Sequence, residues 1–128
     1  SGWTIDATAD IEGFSMLANM MQRRYEPGIE AEGTRTAMAW QLQAGYEEPW
    51  LGLEPTYRLA NYDPTSTLEG ETKGLVFEND ALTYHTVGLN YALADYPIRM
   101  MANYTVTQEQ KQRELKNNRF DALVQFEW

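Results

Sequence analysis

Apolar and polar side chains alternate along most of the chain with a period of two residues. In the first such segment, 3–12, every even position is polar and every odd position is apolar, the apolar ones being Trp3, Ile5, Ala7, Ala9 and Ile11. Successive side chains of a β-strand point to opposite faces. The pattern therefore predicts a strand with one apolar and one polar face.

Six further segments repeat this alternation, at 14–23, 38–47, 51–59, 83–94, 98–107 and 119–128. Pro55 is unfavourable in a central strand, because proline has no N–H to donate. Leu82 and Tyr84 are out of phase with the rest of their segment, so we expect a bulge or a loop edge near His85. The sequence predicts an all-β chain of antiparallel strands, each of roughly 9 to 11 residues, the length of a tilted membrane strand.

The connections between these segments alternate in length. Short connections at 12–13, 48–50 and 95–97 alternate with long ones at 26–35, 63–82 and 109–118. Outer-membrane barrels have short periplasmic turns and longer extracellular loops, so the alternation is typical of them. It favours a transmembrane β-barrel whose long connections are solvated loops.

Aromatic residues recur near the predicted strand ends, where an aromatic girdle would meet the membrane interfaces. The alternative is the core of an ordinary β-sandwich. The residues concerned are Trp3, Phe14, Tyr25, Tyr46, Trp50, Tyr62, Tyr96, Tyr104, Phe120 and Trp128.

The number of predicted strands indicates whether they can close a barrel by themselves. If residue 128 lies in the periplasm, seven crossings place Trp3 on the extracellular side, whereas single-chain bacterial barrels have an even number of strands. We therefore expect residues 1–128 to be one domain that forms the C-terminal part of a larger barrel. The alternative is an additional strand in the apolar stretch Gly74–Asn79.

Composition excludes several classes of function. A net charge of -9 with only 10 Lys and Arg residues argues against nucleic-acid binding, which depends on phosphate neutralisation. The absence of cysteine excludes disulfides, thiolate metal sites and thiol catalysis. The single histidine, His85, is expected at a loop edge. We therefore expect no catalytic residues, no metal site, no cofactor and no enzymatic activity.

Five segments in order resemble the C-terminal region of the phosphate-selective porin O and P family: 39–46, 53–58, 86–93, 98–104 and 120–128. The resemblance covers most of the chain and implies a barrel of about sixteen strands, usually trimeric, through which small solutes diffuse. It implies a location in the bacterial outer membrane, in contact with lipid and lipopolysaccharide. It also implies that Phe126 and Trp128 form part of the signal read by the outer-membrane assembly machinery.

The polar positions of the strands are the candidate functional residues, because charged groups that line a narrow passage set its ion preference. The residues predicted to face the lumen are Asp6, Asp10, Arg23, Gln41, Gln43, Glu47, Glu54, Arg58, Arg99, Asn103, Asp121 and Gln125. Alternatively, these side chains only hydrate the lumen or brace its wall. Both signs of charge occur, so phosphate selectivity is not carried over from the family.

These observations predict an outer-membrane porin or channel that allows passive diffusion of small solutes or ions. One alternative is a structural or adhesive outer-membrane barrel with a plugged lumen. Another is a soluble ligand-binding barrel whose apolar face points inward.

Overall fold

Seven β-strands and no helix are present in the computed structural model, which describes residues 1–26, 32–72, 81–93, 96–109 and 117–126. The strands are β1 Gly2–Ile11, β2 Phe14–Tyr25, β3 Glu32–Tyr46, β4 Leu53–Thr72, β5 Leu82–Ala92, β6 Ile98–Glu109 and β7 Arg119–Phe126. The all-β prediction is thus confirmed. None of the described residues belongs to a helix that is long and apolar enough to cross a membrane.

The strands form one open antiparallel sheet in which each strand pairs with the next along the chain. β1 and β7 are its two edges, and no pairing between them is seen in the described part of the chain. The connections β1–β2, β3–β4 and β5–β6 lie at one end, called here the short-turn end. The opposite end, where β2–β3, β4–β5 and β6–β7 connect, is called the long-loop end.

The β1–β2 turn has two residues, Glu12 and Gly13, with φ angles of 47° and 86°. Positive φ at both central residues is the type I′ geometry that matches the twist of a hairpin. It places Ile11 opposite Phe14 and so fixes the register of the first two strands. The carbonyl of Gly13 also accepts a 2.8 Å hydrogen bond from the N–H of Glu47, which ties this turn to the end of β3.

The β3–β4 turn is held by the carboxylate of Glu48. Its Oε2 accepts hydrogen bonds from the backbone N–H of Trp50 at 3.0 Å and of Leu51 at 2.6 Å. Gly52 has a φ of 64°, and β4 begins at Leu53. The strand predicted to start at Leu51 therefore starts two residues later, because these residues form the turn.

Pro55 lies inside β4 at the point where the ladder with β3 stops. The carbonyl of Leu53 points towards the β3 side, where it accepts from the N–H of Glu48. Alternate residues direct their backbone groups to the same neighbour, so the nitrogen of Pro55 also faces β3. The last pair of the β3–β4 ladder is Gly45 and Thr56. No ladder hydrogen bond to β3 is therefore formed at position 55, and the missing N–H of Pro55 costs none.

Two predicted loops are shorter than expected. β3 begins at Glu32 and β4 continues to Thr72, so the loops predicted at 26–35 and 63–82 are wrong over the residues that these strands occupy. The sequence Asp63–Pro64 suggested a loop because proline and aspartate are depleted in strands. Cross-strand pairing with β3 outweighs that local preference. The stretch Gly74–Asn79 lies outside the described residues.

The irregularity expected near His85 occurs elsewhere. The pairing of β5 is unbroken from Leu82 to Tyr91 with β4 and from Leu82 to Ala92 with β6, so the prediction of a bulge or loop edge there is wrong. The register shifts instead between β3 and β4, where Thr36 pairs with Thr67 but Met38 pairs with Asp63. The extra residues of β4 form a bulge, in which Asp63 Oδ1 accepts from the N–H of Thr65 at 2.9 Å.

Candidate functional site

The register divides the sheet into an apolar face and a polar face. Directly paired residues of antiparallel strands point to the same side, so the pairing can be followed across the sheet. The apolar face carries the odd-numbered positions 3–11 of β1 and the residues that pair with them on each following strand. The polar face carries the alternate residues of every strand. Every residue predicted to face a lumen lies on the polar face, apart from Glu47, which follows the last residue of β3.

Side chains are most crowded on the polar face of the central strands. One row crosses all seven strands there, through Asp10, Ser15, Gly45, Thr56, Gly88, Asn103 and Asp121. A Cβ added at Gly45 would lie 2.9 Å from both Ser15 Oγ and Glu54 Oε1. A Cβ added at Gly88 would overlap the side chains of Asn103 and Thr56. The two glycines therefore leave the space that their polar neighbours occupy.

Side chains on the polar face of the central strands are also less exposed to solvent than those on the apolar face. Thr86, on the polar face, is only 5% exposed, and Ala37 is 7% exposed. On the apolar face, Val87 is 61% exposed and Ile5 is 63% exposed. The contrast shows that the polar face is the more crowded side of the central strands.

Hydrogen bonds between neighbouring strands hold several polar side chains in place. The amide Nδ2 of Asn90 donates to Glu54 Oε2 at 3.0 Å, and the amide of Asn19 donates to Asp6. On β7, Arg119 Nε lies 2.7 Å from Asp121 Oδ2. These contacts fix part of the polar face through side-chain hydrogen bonds.

Arg58 lies at the middle of the polar face. It borders an open cavity of about 240 Å³ whose other lining groups are uncharged: Gln43, Thr56, Thr86, Asn90, Met101 and Asn103. Within the described residues no carboxylate is ion-paired with Arg58. The centre of the polar face thus presents amide and hydroxyl groups together with one guanidinium, a lining suited to water and polar solutes.

Two arginines and two tyrosines lie on the polar face near the long-loop end. The Cζ of Arg23 is 4.8 Å from the centre of the Tyr25 ring, and the Cζ of Arg35 is 5.2 Å from it. The residues assigned to an aromatic girdle included Tyr25 and Tyr62, but the pairing of Tyr25 with Arg35 and of Tyr62 with Ala39 places both on the polar face. That part of the girdle prediction is wrong. Arg35 was missed, although the alternation runs back to it from Ala37.

Amphipathic aromatic residues of the apolar face direct their polar atoms to hydrogen-bond partners. Trp3 Nε1 donates to Gln22 Oε1 at 2.6 Å, and the Tyr57 hydroxyl shares a 2.8 Å hydrogen bond with His85 Nδ1. Asn118 Nδ2 donates to the Tyr104 hydroxyl at 3.0 Å. The prediction that His85 lies at a loop edge is therefore wrong, since it is a strand residue bonded across β4 and β5.

The apolar residues form a band that runs obliquely to the strands. Ala7 is the middle apolar position of β1. Following the paired residues from Ala7 across the sheet leads to Val106 of β6. The same level on the last strand corresponds to residue 118, which lies just before β7 begins. The apolar positions of β7 run from Phe120 to Phe126 and centre on residue 123. The band thus shifts by about five residues, or about 16 Å, over six strand spacings of about 4.8 Å. The shift corresponds to strands tilted by about 30° from the direction perpendicular to the band.

The structure describes one of the two residues that the family resemblance assigns to the assembly signal. Phe126 is the last residue of β7, lies opposite Ile98 on the apolar face, and is exposed. Trp128 lies outside the described residues. Among the side chains that the structure describes, no three acidic or histidine groups come together so as to hold a metal ion.

Comparison with protein-family models, with curated proteins and with solved structures found no match. The function is therefore inferred from the chemistry and geometry of the two faces.

Proposed function

We propose that this chain forms part of the wall of a porin-like β-barrel in the bacterial outer membrane, with its polar face lining a passage for small solutes or ions. The observation that carries this proposal is the crowding of the polar face in the central strands, beside a broad and exposed apolar face. A wall with water inside and lipid outside requires that arrangement.

The same observation weighs against the soluble ligand-binding barrel. Such a barrel encloses its ligand with apolar side chains, so its apolar face would be the crowded one. Here the residues of lowest exposure on β5 include Thr86, whose hydroxyl lies 3.0 Å from that of Thr105 across the polar face. Val87 and Leu89 of the same strand are exposed on the other side.

The oblique apolar band gives independent support. Strands of membrane barrels tilt by roughly 35° to 45° from the barrel axis, so a band parallel to the membrane must cross them obliquely. The tilt of about 30° derived from the register is close to that range. Trp3 and Tyr104 lie along the long-loop side of the band with their polar atoms hydrogen-bonded, as interfacial aromatic residues do.

The proposal includes further strands beyond the seven. β1 and β7 run in the same direction, so pairing them directly would require a parallel ladder, whereas an all-antiparallel barrel needs an odd number of additional strands. Unpaired backbone groups at the two edges cannot remain open to hydrocarbon. A larger barrel of the porin O and P type, trimeric and assembled through Phe126 and Trp128, accommodates these requirements.

Cysteine labelling tests which face meets water, and residues 1–128 contain no native cysteine that would compete for the label. Gln43 and Ala44 are adjacent and lie on opposite faces. In the full protein in liposomes, Gln43→Cys should react with a charged, membrane-impermeant maleimide, and Ala44→Cys only with a lipid-soluble one. The reverse pattern would favour the barrel with an apolar interior.

Planar bilayers then distinguish an open passage from a plugged barrel. We expect the reconstituted full protein to give stepwise conductance and to admit small solutes into liposomes. Correct labelling of both faces without conductance or solute entry would favour the plugged structural barrel.

A further inference from the structure

We infer that the polar face is divided along the strands into a cationic end and an acidic end, and that ion flow along it is rectified as a result. The cationic end consists of Arg23 and Arg35 near the long loops, and the acidic end of Asp10 and Glu54 near the short turns. This inference rests on the proposed passage and adds a direction to it.

The charges of the cationic end are not neutralised by any carboxylate among the described residues. Both guanidinium groups lie against the ring of Tyr25, an arrangement that holds them in place through cation–π attraction. Neither arginine is ion-paired with a carboxylate in the described ranges. Arg23 pairs in register with Ala37, so its neighbour on the polar face of β3 is uncharged.

In the part of the chain that the structure describes, no cation is ion-paired with either carboxylate of the acidic end. Asp10 pairs in register with Ser15, and Glu54 pairs with Asn90, whose amide donates to its carboxylate. Glu54 is thus fixed over the polar face at Gly45, where its Oε1 would meet an added Cβ.

The two ends are too far apart to cancel each other. Gly2 is the partner of Arg23, and Asp10 lies eight residues further along β1. That distance is about 26 Å at about 3.3 Å per residue. The Debye length is only about 8 Å at physiological ionic strength. Between the ends, Asp6 and Arg58 contribute one charge of each sign.

The charges on β6 and β7 weaken this division less than their number implies. Arg119 is paired with Asp121. Arg99 lies opposite Ala92 at the short-turn end of β6, two strands from Glu54, which is about 10 Å at about 4.8 Å per strand. Glu109 lies at the long-loop end of β6, three strands from Arg35, which is about 14 Å at about 4.8 Å per strand. That separation also exceeds the Debye length of about 8 Å.

A passage with fixed charge of opposite sign at its two ends conducts unequally in the two directions. One polarity of voltage drives cations in through the acidic end and anions in through the cationic end, so mobile ions accumulate. The opposite polarity depletes them. Screening weakens the effect as salt rises, because the Debye length falls from about 10 Å at about 0.1 M to about 3 Å at about 1 M.

Single-channel recording of the full protein tests the inference. Each channel is analysed separately, because its orientation in the bilayer determines only which voltage polarity gives the larger current. Currents at opposite voltages should differ by about twofold at about 0.1 M KCl and become nearly equal at about 1 M. The double change Arg23→Gln and Arg35→Gln should bring the low-salt ratio close to one. Arg24→Gln is the matched control, because Arg24 lies on the opposite face beside Glu26.

The other end supplies a second, independent test. Asp10→Asn with Glu54→Gln preserves side-chain shape and should also reduce the ratio. Three results would each overturn the inference: currents that are equal in both directions at low salt, an effect of Arg24→Gln as large as that of the arginine pair, or no effect of the acidic pair. None of these results would contradict the passage itself. Complete absence of conductance would overturn the proposed function together with it.

Discussion

At the scale of single residues, the crowded centre of the polar face depends on two glycines that flank Thr56. Gly45 and Gly88 lie on the neighbouring strands at the same level and are both buried. Each leaves a space that a polar side chain from an adjacent strand fills. The centre of the polar face is thereby closely packed even though its groups are polar.

Gly88→Ala should destabilise the folded protein by about 1 to 3 kcal/mol, since overpacking forces neighbouring side chains and backbone to shift. The added Cβ would overlap Asn103 and Thr56, and Thr56 is β-branched and cannot easily turn away. Urea unfolding in liposomes measures the change. The second substitution Asn103→Ser should recover part of the loss, and full stability of Gly88→Ala alone would contradict the crowding.

Ala44→Arg should cost about 2 to 4 kcal/mol, the value for a cation on the lipid face at the midplane. Ala44 lies close to the centre of the oblique apolar band. Leu42 is level with Ala7, and Ala44 is two residues from Leu42 in the direction in which the band shifts. Gln43→Arg is the control on the polar face and should change the unfolding free energy little. Equal losses for the two variants would mean that the apolar face does not meet lipid.

At the scale of elements, the hairpins set the register that brings the polar residues together. The β1–β2 turn has positive φ at both central positions, where glycine and asparagine are favoured and glutamate is not. The β3–β4 hairpin is the longest, and its bulge lies where β4 extends past the start of β5. The sheet is thus regular within the apolar band and irregular beyond it.

Glu12→Asn should stabilise the protein by roughly 0.5 to 1 kcal/mol, because asparagine tolerates positive φ better than glutamate and Asn-Gly is a preferred type I′ pair. Glu12→Val, which is β-branched, should have the opposite effect. Thermal or urea unfolding of the two variants gives the comparison. An Asn variant less stable than the native protein would argue against the type I′ turn.

At the scale of the whole molecule, the sheet has two edges and no closed core. Only Ala37 and Ala81 are buried among the hydrophobic residues that the structure describes, so stability has to come from the surroundings of the sheet. A lipid phase on one side and further strands at the edges would supply it. An isolated sheet of this kind in water would leave its apolar face exposed.

Hydrogen–deuterium exchange of the 128-residue chain folded in detergent should therefore be uneven. Outward amides of β1 and β7 lack ladder partners and should exchange faster than those of β3 to β5. The same amides should become protected in the full protein, where additional strands cover the edges. Equal protection of all seven strands in the isolated chain would mean that its edges are already paired.

The sequence alone determined that seven strands form and which side chains share a face, since alternation with a period of two is a local property of each strand. Tertiary pairing decided the rest. It extended β4 through Asp63 and Pro64, placed Tyr25 and Tyr62 on the polar face, and made the apolar band oblique. It also decided which face is crowded, because curvature and register arise between strands and leave no trace in the alternation of any one strand.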